Sequence, residues 1–194
     1  MNMKYNSDIH HRRSIRLKDY DYSQAGAYFV TVCTQDKECL FGEITGGEIE
    51  LSRAGEIANG CLVEIPKHSG NVDLDTFIVM PNHMHAIIVI DNHQCRGVAC
   101  NALFKNGNAK SGVIYNAPTG NYFSAISPQQ YSLSVVIRSY KSAVTRLCNR
   151  NNLMCQWQRN YYEHIIRSEI ELNKIREYII NNSLNWKADE NYKD

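Results

Sequence analysis

No stretch of this sequence approaches the roughly 18 consecutive apolar residues that a membrane-spanning helix requires, so a soluble protein is expected. Nor does Met1 to Lys18, polar and basic, contain the apolar core of a secretory signal. Cys-x-x-Cys pairs are absent as well. Seven cysteines, Cys33, Cys39, Cys61, Cys95, Cys100, Cys148 and Cys155, are odd in number and scattered, which excludes a disulfide framework and points to a reducing cytoplasm. At 194 residues there is no room for a second enzyme domain. One domain is expected, with residues 1–27 as a basic N-terminal arm and 92–132 as a loop insertion rich in Gly, Asn, Ser and Pro. The most informative absence is of acid. Between Asp91 and Glu163 there is no Asp or Glu, while Arg96, Lys105, Lys110, Arg138, Lys141, Arg146, Arg150 and Arg159 are all cationic. A net charge of +1 conceals this, because the remainder of the chain is acidic. Such an asymmetry calls for a polyanionic partner.

What is present has clear periodicity. Tyr28-Phe29-Val30-Thr31-Val32-Cys33-Thr34 is a β-branched and aromatic run that reads as a strand. Gly46-Gly47 between two short apolar-polar runs predicts a hairpin. Ser52 is a candidate N-cap for a helix reaching about Lys67, and strands follow at 76–80 and 83–90, broken by Pro81-Asn82. Leu133, Ile137, Tyr140, Val144 and Leu147 mark an amphipathic helix with Arg138, Arg146 and Arg150 off its apolar stripe. A last strand is expected at 161–166, and Ser168-x-x-Glu171 matches a capping box opening a final helix whose Leu172, Ile175 and Ile179 face the core. This order predicts an α+β fold of ferredoxin-like type: an antiparallel sheet with helices packed on it, an extra β-hairpin and an extra C-terminal helix.

Two groups of residues carry chemistry. His83 and His85 lie two apart on a strand, so both imidazoles project to one face, about 7 Å apart along the backbone, and can share one divalent ion. They interrupt an otherwise apolar strand, where a buried imidazole needs a partner for its nitrogens. Tyr178 and Asn182 are four apart in the final helix and fall on one helical face beside the apolar stripe, within reach of a cleft. A structural zinc site at His93, Cys95 and Cys100 is a weaker alternative, its spacing loose and without a second cysteine pair.

The strings Met80-Pro81-Asn82-His83-Met84-His85, Trp157-Gln158-Arg159-Asn160-Tyr161-Tyr162-Glu163-His164-Ile165-Ile166-Arg167 and Glu177-Tyr178-Ile179-Ile180-Asn181-Asn182, in this order and spacing, resemble the HUH single-tyrosine transposases. More narrowly they resemble the REP-associated tyrosine transposases, and the likeness spans essentially the whole chain. It implies that His83 and His85 are the metal-binding histidine pair, Tyr178 the nucleophile and Asn182 the polar residue completing metal coordination. Ser183 departs from the pattern, since relatives commonly carry Pro there, and the 92–132 segment is longer than the short connection expected.

The implied activity is DNA strand transfer. Tyr178 would attack phosphorus, form a 5′-phosphotyrosine and release a 3′-OH, so that a later 3′-OH can rejoin strands without ATP. A divalent cation, Mg²⁺ or Mn²⁺, would neutralise the scissile phosphate, and the imidazole ligands tilt preference toward Mn²⁺. The implied substrate is single-stranded DNA with hairpins, bound by a monomer or a homodimer. Candidate phosphate contacts are Arg12, Arg13 and Arg16 of the arm and Arg138, Lys141, Arg146, Arg150 and Arg159 of the acid-free stretch. Trp157, Tyr161 and Tyr162 are candidates for stacking on bases, with core packing equally open for Trp157, and Tyr162 is the second-choice nucleophile. The alternative is a non-catalytic single-stranded nucleic-acid-binding module, since ferredoxin-like sheets also carry RNA-recognition domains.

Overall fold

The computed structural model describes residues 20–91 and 132–192. Within them, β1 (Gly26–Cys33), β2 (Gly42–Thr45), β3 (Glu48–Leu51), α1 (Arg53–Val63), α2 (Ile65–His68), β4 (Val72–Val79), β5 (His83–Ile90), α3 (Leu133–Arg150), β6 (Tyr162–Ile166) and α4 (Glu169–Ile180) follow in order, with 3-10 turns at Gln35–Lys37 and Trp186–Ala188. Four strands form one antiparallel sheet in the order β4-β5-β1-β6, and β2-β3 is a separate hairpin. With the hairpin set aside, this is the ferredoxin-like arrangement expected, closed by the extra helix α4. The hairpin turns on Gly46 (φ 65°) and Gly47 (φ 90°), a pair of positive φ angles that β-carbons disfavour. Its return strand leads into Ser52, whose hydroxyl accepts from the Gly55 N–H and caps α1, a contact of about 1 kcal/mol.

The helix expected from Ser52 to Lys67 is in fact two. Pro66 has no N–H and its ring crowds the preceding turn, so α1 stops at Val63 and a single turn, α2, restarts with Pro66 near its N-terminus. The expected capping box at Ser168 is half realised. Ser168 accepts from the Glu171 N–H, but Glu171 reaches back to the Arg167 N–H and to His164. Part of the arm is also folded: Tyr20 and Tyr22 pack against the core, and Tyr22 accepts from the Leu133 N–H at the start of α3. The basic arm residues Arg12, Arg13 and Arg16 lie outside the described residues, as do 92–131 and with them His93, Cys95 and Cys100. The five described cysteines are free, and among the described residues no helix is long and apolar enough to cross a membrane.

Alternation along the strands divides the molecule into two layers of contact. Tyr28, Val30 and Val32 of β1 and Met84, Ala86, Ile88 and Ile90 of β5 join Ala58 and Leu62 of α1 and Ile137, Tyr140 and Val144 of α3 in the main core. Phe29 and Ile87 face the other way and meet Ile179 of α4, flanked by Leu172 and Ile175. Full burial of Ile179 is worth about 1.5–3 kcal/mol and seats α4 across the sheet. Arg176 fastens the same helix to β4 by two bonds to Asp75, Nε to Oδ1 at 2.9 Å and Nη2 to Oδ2.

Candidate active site

His83 and His85 project from β5 on the α4 side of the sheet, opposite Cys33 and Thr31 of β1. Their Nε2 atoms are 3.0 Å apart and their rings meet edge-on at 4.5 Å. Both are buried, at 0% and 2% exposure, more deeply than a surface histidine pair would be. Each Nδ1 is engaged, that of His83 with Asn82 Oδ1 at 2.8 Å and that of His85 with Thr31 Oγ1 at 2.9 Å. Burial, reinforced by His85, pushes the His83 imidazole down to about 3, so it is neutral at physiological pH.

Helix α4 brings Tyr178 over this pair. Its hydroxyl is 3.3 Å from His85 Nε2 and 3.1 Å from Asp189 Oδ2, to which it donates, and its ring packs edge-on against Phe29. At 46% exposure the side chain remains open to a cavity of about 790 Å³. Burial, with Asp189 adding, pushes the phenol up to about 12, so Tyr178 is protonated at neutral pH. Asn182 lies just past the end of α4 rather than within it, in turns that run on through Ser183 and Asn185 to the 3-10 turn at Trp186–Ala188. Its Nδ2 donates to Asp189 Oδ2 at 3.0 Å, while its Oδ1 is buried with no hydrogen-bond partner among the described residues.

Asp189 was not foreseen. The turn after α4 returns it to the sheet, where Oδ1 accepts from the Asn191 N–H at 2.6 Å and Oδ2 lies 3.9 Å from His85 Nε2. Burial alone would raise its carboxyl; His85 beside it, the Asn191 N–H and the Asn182 amide outweigh that and hold it well below the usual carboxylate range. His83, His85 and Asp189 offer ligand atoms all within 4.8 Å of one another and could hold a metal ion. The donor set fits a divalent cation: two imidazole nitrogens, a carboxylate held ionised, and the otherwise orphaned Asn182 Oδ1 close by.

No family model matches the chain. An uncharacterised protein of Haemophilus influenzae is 39% identical over 197 residues, covering 100% of this chain and 100% of that one. The chain belongs to that protein's family. The fold of this family member also occurs in a solved REP-associated tyrosine transposase bound to a REP hairpin, with a TM-score of 0.54, 90% of this chain and 74% of that chain covered, and 15% identity. At that identity the likeness is one of fold.

In this family member the described arginines of α3 do not converge on the site. Arg138, Arg146 and Arg150 are exposed on α3, whose apolar side packs on the face of the sheet opposite the histidines. Lys141 spends its ammonium on the carbonyls of Gln158 (2.7 Å) and Asn160 (2.9 Å), where burial pulls it down to about 8. Arg159 sits exposed between those two residues, both of which line the cavity. Trp157 is a packing residue: it contacts Phe41 and Tyr140, and its Nε1 donates to Lys141 O and Thr145 Oγ1. Tyr161 and Tyr162 do line the cavity. So does Lys37, whose Nζ donates to Glu190 O at 2.9 Å. Asp36 and Lys37 form a left-handed pair (φ 53° and 54°), costing about 1 kcal/mol each, just beyond β1.

Proposed function

We propose that this protein cuts and rejoins single-stranded DNA beside a hairpin through covalent attachment to Tyr178, as a transposase-type strand transferase. One observation carries the reading: a half-exposed phenol whose oxygen lies 3.3 Å from one of two paired, buried imidazoles, at the mouth of a cavity large enough for a backbone segment. The hairpin bound to the transposase of similar fold supports the substrate class. The Tyr178 oxygen forms a bond to phosphorus as the bond to the 3′-oxygen breaks. Asp189 holds the hydroxyl in place, the phenolic proton passes to water in the open cavity, and the 3′-oxygen takes a proton from water. His83, His85, Asp189 and Asn182 would hold Mg²⁺ or Mn²⁺, which when bound neutralises charge on the phosphate and favours ionised tyrosine. Phe29 and His85 orient the phenol ring from the side. Lys37, Arg159, Tyr161 and Tyr162 line or flank the path a strand would take, and Arg12, Arg13, Arg16, Arg138, Arg146 and Arg150 remain candidates for the flanking duplex.

The non-catalytic alternative is the weaker reading, because the open sheet face on which an RNA-recognition domain stacks bases is here covered by α4. The test is a 3′-labelled hairpin oligonucleotide incubated with Mn²⁺ and run on a denaturing protein gel. Wild type should give a shifted, covalent band that EDTA abolishes, and Tyr178→Phe should bind the DNA normally yet give none. A persistent adduct in Tyr178→Phe would transfer the role to Tyr162.

A further inference from the structure

Asn82 is fully buried between the histidine pair and two distant segments, and its side-chain hydrogen-bonding groups are all spoken for. Its Nδ2 donates to the carbonyls of Lys37 (3.1 Å) and Asn191 (2.8 Å). Carbonyls only accept, so these two bonds fix which end of the amide is nitrogen. Oδ1 therefore faces His83 Nδ1 at 2.8 Å, and because an amide oxygen only accepts, Nδ1 must carry the proton. In a neutral ring that leaves His83 Nε2 a bare lone pair.

The consequence reaches His85. A bare His83 Nε2 at 3.0 Å from His85 Nε2 is a contact only if His85 supplies the hydrogen there. In a neutral His85 ring Nδ1 is then bare and accepts from Thr31 Oγ1, a hydroxyl that can donate or accept at the same 2.9 Å. We infer that Asn82 is the positioning residue of the site, locking His83 in the Nδ1–H form and fastening the segment that carries Asp189, while Thr31 leaves His85 free to change tautomer. When a cation is present, both Nε2 atoms must be bare; His83 is so already, and His85 must move its proton to Nδ1, where Thr31 turns to accept it. The inference deepens the cation-site reading and rests on it only for that last step.

Histidine-¹⁵N NMR of the full chain tests it, with Zn²⁺ as a diamagnetic probe. Without metal, His83 should show Nδ1 protonated and Nε2 bare, and His85 the reverse; His83 protonated at Nε2 would overturn the assignment. With Zn²⁺, His83 should keep its form and His85 should switch. No change at either ring would sink the cation reading alone, since the metal-free spectrum decides the role of Asn82 independently. Asn82→Ala should mix the His83 tautomers, weaken Zn²⁺ binding on the order of 10–100-fold and speed amide exchange at 189–192. Asn82→Asp keeps an acceptor for His83 but loses both donors, so it should preserve the tautomer while freeing 189–192. If Asn82→Ala does not fold, this second variant decides: unchanged exchange at 189–192, or a lost tautomer, overturns the inference.

Discussion

On one side of the sheet, Tyr28, Val30 and Val32 meet α1 and α3 in a continuous apolar core; on the other, their sequence neighbours Phe29, Thr31 and Cys33 meet α4 across a polar cavity. The same strands thus supply two environments at every second residue. The core side contains aliphatic and aromatic groups in close contact. Among the described residues the site side buries a small apolar group, Phe29, Ile87 and Ile179, and around it stand His83, His85, Asn182 and Asp189. One face supplies stability and the other is maintained at the expense of it.

Adjacent residues of β5 give the sharpest test. Ile88 points into the main core and Ile87 toward α4, and both are fully buried. Ile88→Ala should cost about 4 kcal/mol in urea unfolding, and Ile87→Ala about 2, because the smaller cluster can collapse around the deletion. Ile87→Ala should in addition lower adduct formation by unseating Ile179 beside Tyr178. Equal costs, or the reverse order, would remove the distinction between the faces.

Acid should act on the site face first. His83 stays neutral in the folded state down to about 3, whereas the unfolded chain takes up its proton at the ordinary value of 6.5. The unfolded state therefore binds more protons in that window, so stability is complete above 6.5 and is lost as pH falls toward 3, by on the order of 3 kcal/mol at pH 4. His83→Gln, measured without metal, should show a flatter decline across that window. An identical pH profile would mean that the buried imidazole is not the group responsible.

The smallest effect concerns α3. Arg138→Gln with Arg146→Gln should flatten the log-log salt dependence of binding to hairpin DNA by about one unit. Adduct formation on a short single strand should not change, since both residues lie across the sheet from Tyr178. A slower short-strand reaction would place the two faces on a single DNA path.

What could be read in advance follows the range of the physics involved. The His83/His85 pair was legible because a strand's period is local, and the packing of α3 because a helical stripe is local too. That α3's arginines would end up behind the sheet was not, since charge along the chain says nothing about which layer a helix joins. Pro66 signalled the break between α1 and α2, but the apolar spacing on either side of it masked the signal. Asp189 had no signal at all. It is one carboxylate beside Glu190 in a polar tail, and only the turn after α4 selects it, more than a hundred residues from the histidines it meets. Tyr178 and Asn182 were found through resemblance rather than periodicity, which marks Tyr178 only as a residue at the edge of an apolar stripe.

The Arg176–Asp75 clasp stands two residues before Tyr178 and joins α4 to the sheet of its own chain. The clasp holds the helix that carries the phenol against the sheet that carries both imidazoles, within one polypeptide. On the proposed reading, a site built this way predicts a reaction first order in protein: diluting the sample should slow the search for DNA but not the chemistry that follows, and a rate that falls with dilution after DNA is bound would require a second copy.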